Sequence, residues 1–167
     1  MIPSFRSVIG FAVIAVLHST AAAAADSPVP EYRTSLADVY GAYQAVLSRR
    51  DACGSAFPQS RGAYETAFTR WHGRHRNLIA ELDQRVNMMI RRESKDENDY
   101  ARNIGKYEGA ILRQREEVKQ ALLQQPRGDL ETLCKGLPDF LQAADSDLEK
   151  EFAEQLAVVR KRPLARK

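Results

Sequence analysis

Between Ser60 and Glu93 the chain runs for roughly thirty residues without a proline, and its apolar positions keep one spacing throughout. Tyr64, Phe68, Trp71, His75, Leu78, Leu82, Val86 and Met89 follow one another in steps of three or four. That is the period of a single helical face, and at 1.5 Å per residue it predicts a rod of roughly 50 Å. A helix of that length dominates whatever the rest of the chain builds. No segment shows sustained two-residue alternation, so the expected fold class is all-α.

Three more segments carry the helical period. Leu36, Val39, Tyr40, Tyr43, Val46 and Leu47 predict a first helix, capped by Thr34 or Ser35 and ended by Gly54 ahead of Pro58. After the polar link Ser94 to Asp99, a third helix is expected with Tyr100, Ile104, Tyr107, Ile111, Val118 and Leu122 on its buried face. Pro126 and Gly128 break the chain, and Asp129 opens a short helical turn holding Leu130, Leu133 and Cys134. Pro138 starts a last helix with Leu141, Ala144, Leu148, Phe152, Leu156 and Val159 inward, and Pro163 stops it. The expected architecture is an antiparallel up-down bundle of about four helices, with one short extra turn, over residues 34–162. A three-helix core with a loosely packed first helix is the alternative.

The N-terminal residues read as an address. Arg6 precedes the apolar run Val8 to Leu17, and Ala21 to Ala25 offer small-residue cleavage frames, so residues 1–25 are expected to be a cleavable signal peptide. Residues 26–33, with Pro28 and Pro30, are expected to form an extended leader. The first cysteine is Cys53, far from any cleavage point, which argues against a lipoprotein. The expected location is the periplasm or the medium.

The two cysteines test the topology. An up-down order puts the ends of the first and third helices at one pole, where Cys53 and Cys134 lie. In an oxidising compartment they are expected to form a disulfide, and no CxxC pair suggests a reactive thiol.

Chemistry is harder to find. His72 and His75 are three apart on the second helix and are the candidates for a metal, but Arg74 and Arg76 oppose a cation there and no acid lies within a turn. His75 falls on the apolar stripe, where a hydrogen-bonded core histidine is expected. Trp71, Tyr64 and Phe68 read as core packing, and Met88 and Met89 as gap filling. The chain has no CxxCH for haem, no GxSxG, no glycine-rich phosphate loop and no facing acid pair. The LTxxQ motifs of Spy-like periplasmic chaperones are missing as well. Neither an enzyme nor a cofactor is expected.

Charge is unevenly spread. Residues 60–92 hold seven arginines against three acids, whereas residues 139–154 hold six acids against Lys150. Arg70, Arg74, Arg85, Asp145 and Glu149 are therefore the candidates to face a charged partner. Arg160, Lys161, Arg162, Arg166 and Lys167 form a basic end, expected to be a solvated tail from Pro163 onward with at most weak contact to an anionic membrane surface. In the rest of the chain after residue 25 acids outnumber bases, so nucleic acid is not an expected partner. The sequence points to an exported, non-enzymatic helical protein that binds another protein, of inhibitor, immunity or accessory type. A stress chaperone for unfolded clients and a small-ligand or metal-binding bundle are the alternatives.

Overall fold

The computed structural model describes residues 30–164. Three long helices dominate: α1 (Pro30–Ala56), α2 (Arg61–Glu93) and α3 (Glu97–Leu123). Four short ones follow: α4 (Arg127–Lys135), α5 (Leu137–Phe140), α6 (Leu148–Glu151) and α7 (Ala153–Arg160). Single 3-10 turns at Pro58–Ser60 and Ala144–Ser146 complete the path, and no strand occurs among the described residues. Among the described residues no helix is long and apolar enough to cross a membrane. The signal peptide, residues 26–29 of the leader, Arg166 and Lys167 lie outside the described residues, and leader residues 30–33 belong to α1 rather than to an extended segment.

The stripe of α2 is the spine of the core. Tyr64, Phe68, Trp71, His75, Leu78, Leu82 and Val86 are all buried, and Met89 packs against them partly covered. The first helix starts at Pro30, four residues before the expected cap, and is not loosely packed. It lies against α2, α3 and α7 and buries Tyr32, Leu36, Val39, Val46, Leu47 and Cys53. Ser35, Gln44 and Ser48 are buried with them. Small polar side chains allow α3 to approach closely: the Ser48 hydroxyl donates to the carbonyl of Gln44 at 3.1 Å and to that of Arg115 at 3.2 Å.

The reversal into α3 is set locally, because the Asp96 carboxylate accepts the Asp99 N–H at 2.8 Å and caps the helix. The expected inward face of α3 is only half covered. None of its residues is buried, and Val118, expected inside, is exposed.

The last helix expected from Pro138 to Arg162 is instead four pieces. Ala143 and Asp147 are extended, and the Asp147 side chain accepts the Glu149 N–H at 3.2 Å, starting α6 afresh. Asp and Ser compete with helical hydrogen bonds in this way, and the run Ala144 to Asp147 is rich in them. The breaks let Leu137, Leu141, Leu148 and Leu156 all be buried.

Cys53 at the end of α1 and Cys134 in α4 form the expected disulfide, with Cα atoms 5.3 Å apart and both residues fully buried. It closes a separation of 81 residues. In the chain-entropy account such a loop stabilises by roughly 4 to 5 kcal/mol.

Candidate binding site

Two clefts flank α1. At about 100° per residue, Tyr40, Tyr43, Gln44 and Leu47 lie on the side of this helix opposite Ala42, Ala45, Val46 and Arg49. The second group opens onto an apolar cleft of about 230 Å³ closed by Phe140, Leu148 and Phe152. The Arg49 guanidinium lies 4.6 Å above the Phe140 ring at its edge, and burial pulls that guanidinium below its ordinary range.

The first group lines a larger cleft of about 370 Å³ between α1, α2 and α3. Tyr40 meets Tyr43 at 6.1 Å between centroids in an edge-on arrangement, and meets Tyr107 of α3 at 6.4 Å. Asp83 of α2 stands near all three phenols. Burial first, and then the Asp83 charge, push Tyr107 up to about 12 and raise Tyr40 and Tyr43 as well, so every phenol stays protonated. Arg115 of α3 closes one end. Its Nη2 donates to Asp51 Oδ2 at 2.9 Å.

Behind Tyr43 the rings continue into the core. Tyr43 stacks on Trp71 at 6.3 Å, and Trp71 lies 4.6 Å from His75. The Trp71 indole N–H donates to the Ser146 carbonyl at 2.8 Å, tying α2 to the broken C-terminal segment. His75 is buried with both ring nitrogens engaged. Its Nδ1 contacts the Trp71 carbonyl at 2.9 Å, and its Nε2 contacts the Leu148 backbone N–H at 3.2 Å. A carbonyl only accepts and a backbone N–H only donates, so the neutral ring carries its proton on Nδ1. His72 is half-buried between Phe68 and Tyr43 and faces a neighbouring groove. Among the described residues no three His, Cys, Asp or Glu side chains converge to hold a metal.

The charged candidates separate into two sets. Arg70, Asp145 and Glu149 are exposed, and so is Arg74, although it donates to the Leu141 carbonyl. Arg85 does not face a partner. It is 3% exposed and donates to Glu81 and to the carbonyls of Val159 and Arg162. Its long side chain crosses the core boundary to reach the Val159 carbonyl in the last turn of α7 and the Arg162 carbonyl just beyond it. At the basic end Arg160 and Arg162 are likewise engaged with the rest of the fold. Arg160 binds Glu81 at 2.8 Å and Glu149 at 3.2 Å, and the Arg162 guanidinium lies 5.0 Å above Tyr32. Burial pushes the Glu81 carboxyl up, but hydrogen bonds from Arg160 and Arg85 outweigh it and hold the group below its usual range.

The tyrosine cleft was missed as a site. Tyr40, Tyr43 and Tyr107 read as core face, and nothing at the level of spacing joined them to Gln44, Asp83 and Arg115. One signal was present: three phenols, where leucine would pack as well, each need a polar neighbour when covered.

No family model, no curated protein and no solved structure matches this chain.

Proposed function

We propose that this chain is an exported, non-enzymatic helical protein that binds another protein through the outer side of α3. The observation that carries this reading is the mismatch on that helix: it is 27 residues long, with a clear apolar stripe, and none of its residues is buried. Leu112 is 61% exposed beside half-covered Ile111, and Val118 is exposed as well. A helix in this state keeps apolar area for a further contact. Arg70, Arg74, Asp145 and Glu149 supply charges of both signs on the surface, which favour selective association. In this reading the long helices and the segmented C-terminus run up and down as an antiparallel bundle of about four members. A buried disulfide suits an oxidising compartment and hence export.

The test uses the purified oxidised protein and its Leu112→Glu variant as baits in periplasmic extract at low salt. One stoichiometric species retained by the wild type and lost with the variant is the expected result. Retention of nothing overturns the reading. So does suppressed aggregation of several unrelated unfolded proteins, which is chaperone behaviour.

A further inference from the structure

The tyrosine cleft holds two polar atoms that the fold leaves unanswered. Gln44 is 8% exposed, yet its Oε1 accepts no hydrogen bond from the described residues. Arg115 Nε is likewise buried and donates to no described residue. The two side chains come from different helices, α1 and α3, and line the same cavity. Buried polar atoms are ordinarily paired. Both atoms are covered as the side chains stand, and a turn of either side chain presents its atom to a ligand's own donor or acceptor in the cavity.

The charges around them narrow the chemistry. Asp83 and Glu108 are exposed at the rim, and Arg115, the one cation in the lining, is already held by Asp51. The excess charge is negative. Three aromatic rings add the electron-rich faces that attract a cation. A quaternary ammonium has no N–H for Gln44 Oε1, and a neutral sugar would leave the acidic rim unanswered. A primary ammonium meets both demands, and Arg115 Nε calls for an oxygen acceptor near it. Leu47, Ile111 and Leu112 complete the wall with apolar surface. At about 370 Å³ the cleft is at the small end of ligand pockets, which run from about 300 to 1,000 Å³.

We propose that this cleft binds a free aliphatic α-amino acid. With the Gln44 and Arg115 side chains turned toward the cavity, the ammonium donates to Gln44 Oε1 in front of Asp83, the carboxylate accepts from Arg115 Nε, and the side chain lies along Leu47, Ile111 and Leu112. Leu112 and Ile111 are shared with the surface proposed for a protein partner, whereas Gln44, Asp83 and Arg115 are not, so variants at Asp83 and Arg115 test this proposal apart from that one.

Titration calorimetry on the oxidised protein tests it with L-leucine, N-acetyl-L-leucine, L-leucinamide, N,N,N-trimethyl-leucine and maltose as probes. Trp71, the only tryptophan and stacked on Tyr43, gives a second readout by fluorescence. L-leucine is expected to bind, with the three blocked forms weaker by roughly tenfold or more. Asp83→Asn and Arg115→Lys should each weaken L-leucine by roughly tenfold. Asp83 is exposed, so that variant should keep its melting temperature and separate binding from folding. No heat and no fluorescence change with millimolar L-leucine overturns the proposal. Equal binding of N-acetyl-L-leucine, or preference for maltose, overturns it too.

Discussion

Helices α2 and α3 carry the same kind of sequence and meet different fates. Both repeat apolar residues every three or four positions over several turns. Along α2 eleven residues are buried, whereas along α3 none is. The difference is the number of neighbours. One side of α2 lies on α1, and another is sealed by the C-terminal pieces through Trp71, His75 and Arg85. Helix α3 rests mainly on α1, and its far side has no cover among the described residues. Periodicity tells which face seeks burial. It does not tell how much cover arrives. Stability should therefore concentrate on α1, α2 and the C-terminal segment, with α3 as an outer layer.

The largest expected effect tests where the core is tied. Reducing Cys53–Cys134 should lower the unfolding free energy by roughly 4 to 5 kcal/mol, read from urea midpoints of oxidised and reduced protein. A shift below about 1 kcal/mol would mean that the pole joining α1 to α4 contributes little.

Trp71→Ala should cost about 3 to 5 kcal/mol, since it empties a fully buried site and strands the Ser146 carbonyl. The matching truncation on α3, Ile111→Ala, should cost only about 1 kcal/mol, because that side chain is half covered. Equal losses at the two positions would erase the contrast between the helices.

Deleting residues 160–167 is the next test. The sequence suggests a tail whose removal is silent. The hydrogen bond from Arg85 to the Arg162 carbonyl, and the Arg160 pair with Glu81, instead predict a loss of roughly 1 to 3 kcal/mol. Unchanged melting would show that these contacts are dispensable.

Acid should act on the same region. The Glu81 carboxyl is held below its ordinary value by Arg160 and Arg85 against the effect of burial. Asp147 is also depressed: burial raises it, but the backbone N–H groups of Lys150 and Glu149 prevail. Groups depressed in the folded state contribute stability that is complete above their unfolded values and lost as pH falls through their folded ones. Urea midpoints should therefore hold down to about pH 4.5 and decline below it. The decline should survive added salt where Glu81 is shielded. The ion pairs of Asp99 and Glu116 on α3 are exposed and should contribute little at any salt concentration.

The smallest effect completes the comparison. Leu112→Glu should change stability by less than about 0.5 kcal/mol, because its side chain is already in water. A larger loss would mean that α3 is sealed by something on that side.

Much of this architecture was legible from residue spacing alone. The face of α2, the break at Pro126 and the pairing of Cys53 with Cys134 need only helical period, proline geometry and the reach of a disulfide. The burial of α1 on several sides was not legible. Ser35, Gln44 and Ser48 look solvent-facing until the packed helices cover them, and Ser48 then donates to the Arg115 carbonyl of α3. The segmented C-terminus was missed because its leucines keep helical spacing, while Asp147 turns its side chain back on the chain and restarts the helix.

The same division holds for the site. Spacing placed His75 on a core stripe and predicted that it would be a structural histidine, and Trp71 likewise. Arg85 looked like a surface charge because four helical positions cannot reveal that two carbonyls of a distant segment will meet it. Gln44, Asp83, Tyr107 and Arg115 come from three helices, and no local rule joins them. Local sequence determined where helices form, which face of each seeks burial and which cysteines can meet, because those depend on neighbours along the chain. Only the tertiary structure decided which polar atoms were left inside without partners, because that depends on which backbones come within hydrogen-bond reach once the helices pack.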